Sequence, residues 1–247
     1  MKSFITLIWI NLKLYLREPI ATFFTLAFPP LMVVLFGAMY GNDPTPMLGG
    51  YGSMDVSMAG YTAMILSTVA FLGVPITISS NRESGVLRRF RTTPLRPVTY
   101  IIADILTNLV STLIGMIGLV LVGWLLYRVR FEGQVIIIFL AVVFSGLSMF
   151  SVGYLIAGLA PGARSAQVIG MVIFYPMMFL SGSSIPLEVM PEAVQRISNF
   201  IPLTYVVRLL RGLWFGESWG EYKIETVILG VILVVCTALA SHFFRWE

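Results

Sequence analysis

The chain has 247 residues, of which 57% are hydrophobic and only 11% charged, with a mean hydropathy of +0.89. Soluble domains carry about 25% charged residues, so this composition belongs to an all-α integral membrane protein. The net charge of +4 does not point to nucleic acid, because basic residues gathered near span ends account for it. One cysteine (Cys236) and one histidine (His242) exclude a disulfide framework and a His/Cys metal cluster.

Residues 2–18 read as an amphipathic helix, with Lys2, Thr6, Lys13 and Arg17 on one stripe and Phe4, Leu7, Ile8, Trp9, Leu12 and Leu16 around it. A helix of that kind lies in the membrane interface. The segment lacks the continuous apolar core and small-residue cleavage site of a secretory signal. The first span is predicted over 20–40, kinked at Pro29-Pro30. Gly41–Asp55 holds no Lys or Arg and reads as an external loop. The second span, 56–79, carries Gly73 and Pro75 near its inner end.

Asn81–Pro94 follows, with Arg82, Arg88, Arg89 and Arg91, and Arg96 just beyond. Arginines clustered so near span ends are held on the cytoplasmic side, where this loop offers a basic, partly helical surface to a partner. The third span, 98–127, sets Asp104, Asn108, Ser111, Gly115 and Gly118 on one helical face, a pattern that lets helices approach and hydrogen-bond. An aspartate at membrane depth costs on the order of 3 kcal/mol. Asp104 sits near the cytoplasmic end, where snorkelling lowers that cost, so both packing and a functional charge fit it.

Spans four, five and six are predicted at 134–159, 165–182 and 224–244, with Pro176 breaking the fifth. Residues 183–223 are too polar to span. Yet Val189–Ile201 and Leu203–Phe215 keep helical apolar spacing behind prolines, which predicts two short external helices within 186–215 that re-enter the outer leaflet. With this topology ten basic residues lie inside and six outside. The sequence therefore predicts a single six-span domain over 1–247 with both termini cytoplasmic.

Several chemistries are excluded. The only lysines, Lys2, Lys13 and Lys223, do not follow glycine, so no phosphate-binding P-loop exists. The Ser-Gly pairs at Ser145 and Ser181 have no histidine base within the same span. No second carboxylate joins Asp104 inside a span to make a proton or sodium relay. The expectation is a non-catalytic chain that binds no cofactor of its own.

Glu83-Ser-Gly85, Leu87-Arg88-Arg89 and Thr93-Pro94-Leu95 resemble the first cytoplasmic loop of ABC-2 type permeases, the membrane subunits of many bacterial ABC exporters. Pro176-Met-Met-Phe-Leu-Ser181-Gly182, Ile185-Pro186, Met190-Pro191, Asn199, Ile201-Pro202-Leu203-Thr204-Tyr205 and Arg208 are similar to that family's fifth span and external helices. The resemblance implies a subunit of a bacterial or archaeal inner membrane, surrounded by lipid. It would pair with a second permease copy, more readily as a homodimer than a heterodimer, and bind a separate cytoplasmic ABC ATPase that holds the ATP and magnesium. No nucleic acid enters this picture.

Under the same resemblance, 82–93 is the coupling helix. Arg82, Glu83, Gly85, Leu87, Arg88, Arg89, Phe90, Arg91, Thr93 and Pro94 then serve the ATPase contact. Pathway and gating fall to Gly73, Pro75, Asp104, Asn108, Pro176, Phe179, Ser181, Gly182, Pro186, Pro202 and Tyr205, with the external helices as outer gate. The Met- and Phe-rich interior suggests export of a hydrophobic or amphiphilic small molecule, a drug, antibiotic or lipid-like compound. Export of a lipid-linked polysaccharide is the alternative within the family, and a non-transporting membrane scaffold or sensor the alternative outside it.

Overall fold

The computed structural model describes residues 12–13, 22–86 and 97–243. Most of the expected interfacial helix, the start of the first span and residues 87–93 of the expected coupling helix lie outside the described residues. Those that are described form helices α1 (Phe28–Tyr40), α2 (Ser53–Thr68), α3 (Val74–Glu83), α4 (Pro97–Tyr127), α5 (Val135–Leu159), α6 (Ala163–Leu180), α7 (Glu192–Ser198), α8 (Pro202–Trp214) and α9 (Lys223–Phe243). Helix is the expected answer where water is absent, because it satisfies every backbone N–H and C=O within the segment.

Among the described residues, five helices are long and apolar enough to cross a membrane: Ser53–Glu83, Thr99–Tyr127, Val135–Leu159, Ala163–Leu180 and Lys223–Phe243. The expected span over 20–40 is described from residue 22 onward and supplies the shorter apolar helix Thr25–Tyr40. There Pro29 and Pro30 fall at a change of helix type rather than in the middle of a regular helix. They open α1, directly after a π-helical turn at Phe23–Ala27.

α2 and α3 form one rod joined by a second π-helical turn, Val69–Gly73. The apolar stretch of this rod is 83% buried, whereas that of α9 is 11% buried. The rod is therefore the axis of the bundle. α1 and α4 pack on one side, α5 and α6 on others, α9 lies behind α5, and α8 wedges between α2, α5 and α9 at one end. Outward faces remain apolar. Ile102, Leu106, Val110, Ile114, Ile117, Leu121 and Trp124 make a stripe along α4, and Val168, Val172, Tyr175 and Phe179 make one along α6. Such stripes suit lipid or a partner helix.

The end of the bundle opposite the arginine-rich loop is closed by a polar knot. Asp55 Oδ1 accepts hydrogen bonds from Asn42 Nδ2 (3.0 Å) and the Arg130 backbone N–H (2.9 Å), and Oδ2 accepts one from the Gly52 N–H (3.0 Å). Asn42 Oδ1 accepts from the N–H groups of Met54 (3.0 Å) and Asp55 (3.1 Å), while its Nδ2 also donates to the Tyr127 carbonyl (3.1 Å). Trp214 Nε1 donates to the Arg130 carbonyl at 2.9 Å, and Phe131 meets the Trp214 ring edge-on. The loop after α1, the turn after α4 and the end of α8 are thus bound together at the start of α2.

Three sequence expectations change here. The external loop was expected to run to Asp55, but α2 starts at Ser53 and Asp55 is 2% exposed. The Asp55 carboxylate holds the Gly52 N–H that the helix start leaves unpaired. The single helix expected over 82–93 is interrupted early. Helix α3 stops at Glu83, and Gly85, at φ +71°, makes the left-handed turn that commonly ends helices. The first external helix is shorter than Val189–Ile201: α7 covers Glu192–Ser198. Ile201 is forced extended before Pro202, which then opens α8.

Candidate functional site

The functional residues expected from the sequence fall into four places around the axial rod. At its basic end, Arg82 and Glu83 form the last turn of α3. Arg82 Nη1 donates to the Ala157 carbonyl (3.1 Å) and Nη2 to the Ala160 carbonyl (2.5 Å). Both carbonyls belong to the end of α5, where the last turn lacks intrahelical donors and a cation is favoured by about 0.3–1 kcal/mol. Glu83 Oε1 accepts from the Ala163 N–H at 3.0 Å, at the first residue of α6. A carboxylate is favoured at that helix start for the opposite electrostatic reason. Glu83 itself is exposed, so this contact sets position more than it adds stability. Gly85 makes the turn that follows. Leu87, Arg88, Arg89, Phe90, Arg91, Thr93 and Pro94 lie outside the described residues.

Halfway along the rod lie Gly73 and Pro75. Gly73 ends the π-helical turn and Pro75 is buried in the first turn of α3. The turn is gripped from two sides, because Gly153 on α5 lies against the Ala70 carbonyl and Gly170 on α6 against the Phe71 carbonyl. A side chain at either glycine would overlap those oxygens. The local rewinding of π-bulges is a frequent feature of functional sites. Pro176 lies within α6, one and a half turns beyond Gly170. The sequence therefore located the irregular stretch of the rod by its Gly and Pro, but not its two partners.

Asp104 and Asn108 are buried on α4 at 6% exposure each. Asn108 Nδ2 donates to Asp104 Oδ2 (3.1 Å), and Tyr154 Oη on α5 donates to the same oxygen (2.5 Å). One turn away, Asn81 Nδ2 on α3 donates to Tyr100 Oη at 2.8 Å. Hydrogen bonds to a charged group contribute about 1.5–3 kcal/mol each, comparable to the insertion cost of one aspartate. This network ties α3, α4 and α5 together in the basic half of the bundle. Tyr154 also borders a largely apolar cavity of about 280 Å³, lined with Ile101, Ile105, Phe150, Leu233 and Thr237. Tyr154 was not among the residues singled out from the sequence; a lone tyrosine fifty positions from its partner carries no local signal.

At the far end, Gly182 (φ +83°) and Pro186 border a cavity of about 520 Å³ shared with Glu188, Asn199, Arg208 and Arg211. Arg211 Nη1 pairs with Glu188 Oε1 at 2.6 Å, and Arg208 Nη2 donates to Asn199 Oδ1 at 2.7 Å. Tyr205 Oη donates to the Asn199 carbonyl (2.5 Å), and Pro202 begins the helix that carries Tyr205. Ser181 is fully buried and its Oγ accepts from the Ser183 N–H at 3.2 Å, while Phe179 points outward at 53% exposure. Tyr222 donates to Glu217 beside this region, and burial together with that carboxylate raises the phenol's pKa. The structure thus brings Gly182 and Pro186 to one cavity with Arg208 and Arg211 of α8, while Pro202 and Tyr205 lie on that helix outside the cavity lining. Asp104 and Asn108 sit apart, in the opposite half.

The model of the ABC-2 type transporter family matches residues 2–215. The chain is 26% identical over 192 residues to the inner membrane transport permease YhhJ of Escherichia coli, a match covering 74% of this chain and 51% of that one. It therefore spans about half the length of that relative. It is 22% identical over 245 residues to the daunorubicin resistance ABC transporter permease protein DrrB1 of Streptomyces coeruleorubidus, covering 97% and 82% of the two chains. A shorter match, 28% over 101 residues, reaches nodulation protein J of Rhizobium leguminosarum and covers 41% and 39%. A bundle of apolar helices around one buried rod, matched by the family over nearly its whole length, places this multi-pass membrane chain in the ABC-2 type transporter family of transport permeases.

Proposed function

We propose that this chain is the membrane subunit of an ATP-driven exporter of the inner membrane, working with a separate cytoplasmic ABC ATPase and a second permease copy. The family match over residues 2–215 carries the reading. In this reading the end bearing Arg82 and Arg164 is cytoplasmic, as ten basic residues against six suggest. Residues 82–93 dock the ATPase, and the push enters the bundle through α3. Because the rod is the most enclosed helix, a displacement of α3 is felt by α5 and α6 together. The cavity between α6, α7 and α8 is the outer exit, closed in this state by the Glu188–Arg211 pair.

The cargo is a hydrophobic or amphiphilic small molecule. One long relative is named for daunorubicin resistance, which makes daunorubicin the first probe. Purification of the tagged chain from its native membrane in mild detergent tests the core of the reading. A P-loop ATPase is expected to co-purify in near-equal amount. A preparation free of ATPase and stable as a homodimer would replace the exporter with a scaffold. In cells carrying the permease and its ATPase, daunorubicin accumulation is expected to fall; unchanged accumulation removes this cargo class from first place.

A further inference from the structure

Two adjacent side chains, Arg82 and Glu83, reach away from the loop they begin and hold the turn between α5 and α6. Arg82 spans the Ala157 and Ala160 carbonyls, and Glu83 takes the Ala163 N–H. Every partner is a main-chain group at a helix end, so the contact asks no particular side chain of the turn. It does ask for one absence. A Cβ at Gly162 would occupy the position of Glu83 Oε1. Gly162 itself is extended, with φ −164°, a conformation open to any residue. The glycine is thus not required by its own backbone; it leaves room for the carboxylate of Glu83, which reaches the Ala163 N–H from eighty residues upstream of Ala163.

We propose that Arg82 and Glu83 are positioning residues that strap α3 to the α5–α6 turn, so that both loops at this end move as one body when the ATPase acts. This rests on the docking of residues 82–93 proposed above, but it reassigns the first two of them. Their hydrogen bonds go to the α5–α6 turn, and ATPase contact falls to the residues after Gly85. Motion entering there meets the Ser84–Gly85 turn, then the strap, and so reaches α6 with its Pro176 as directly as it reaches α3. Without the strap, the described residues of α3 and α6 would be coupled at this end through side-chain packing.

Gly162→Ala is the decisive variant. The atom it displaces is the tip of a flexible side chain, so folding is expected to survive while the carboxylate is evicted. The permease–ATPase complex is purified with wild-type chain, Gly162→Ala, Glu83→Ala and Glu83→Gln, and three quantities are read: ATPase retained, permease-dependent control of ATP hydrolysis, and amide exchange over 160–166. Gly162→Ala and Glu83→Ala are expected to keep the ATPase, lose most of that control, and exchange about fivefold faster at the start of α6. Glu83→Gln, which keeps the accepting oxygen, is expected to stay near wild type in all three.

Loss of the ATPase in Glu83→Ala with a normal Gly162→Ala complex would overturn the strap and make Glu83 a docking contact. Failure of Glu83→Gln with intact ATPase binding would do the same for the hydrogen-bond account. Should the wild-type chain retain no ATPase, the exporter reading falls first. The exchange comparison on the permease alone then decides the strap, and unchanged exchange in both alanine variants rejects it.

Discussion

The two ends of the axial rod solve the same problem with very different means. At the far end, Asn42 and Asp55 hold the start of α2 through six hydrogen bonds, and Asp55 is almost wholly buried. At the basic end, Arg82 and Glu83 hold the close of α3 through three hydrogen bonds, and Glu83 is exposed. Buried charged groups are costly to leave unpaired, whereas exposed ones are held loosely. The far end is thus built as an anchor, and the basic end as a joint that transmits position at little cost in stability. The exporter proposed above, driven from one side, would need that asymmetry: one end to pivot on and another to be moved.

Removing the anchor should have the largest effect. Asp55→Ala strips acceptors from the Gly52 and Arg130 N–H groups and from Asn42, and is expected to cost about 3–5 kcal/mol. Thermal unfolding in detergent should show a large drop or no folded protein; a loss as small as that of a surface substitution would break the comparison. Next comes the middle of the rod. Gly153→Val drives a side chain into the Ala70 carbonyl and is expected to cost about 1–3 kcal/mol through overpacking. Wild-type stability in this variant would mean that the π-helical turn yields freely.

Smaller still is the network near the basic end. Tyr154→Phe leaves the buried Asp104 carboxylate with the Asn108 amide, from its own helix α4, still donating to it, and about 1–2 kcal/mol should be lost. Asp104→Asn in the same background separates the roles. If the carboxylate serves only packing, the amide restores stability and export is kept; lost export at normal expression makes it a functional charge. Gly162→Ala should be nearly silent in unfolding, below about 1 kcal/mol, while changing control of the ATPase. A large stability loss there would show that the basic end is a second anchor.

Much of this was legible in the chain itself. Hydropathy located α4, α5, α6 and α9 within two residues, because a span is decided by the sum over its own window. Pro202 and the apolar spacing behind it marked α8, and Gly73 with Pro75 marked the irregular turn of the rod. Asp55 was misplaced into a loop because an acid beside a span start looks like solvent-facing chain; Asn42, thirteen residues earlier, and the Arg130 N–H, seventy-five residues later, make it a buried acceptor. Arg82 and Glu83 read as the head of a docking helix, since neither the Gly85 turn nor the helix ends at Ala160 and Ala163 can be inferred from charge alone.

The sequence by itself determined what each stretch could be: which segments are apolar enough for lipid, which loop carries the arginines, and to which family the chain belongs. These follow from local sums of transfer energy and from motifs read in order. Only the tertiary structure decided which polar groups complete one another. Tyr154 finds Asp104 across fifty residues, Glu83 finds Ala163 across eighty, and Arg130 finds Asp55 across seventy-five. In an apolar medium an unpaired polar group is expensive, so such pairs are demanded by physics, but their partners are chosen by how the helices pack around the rod.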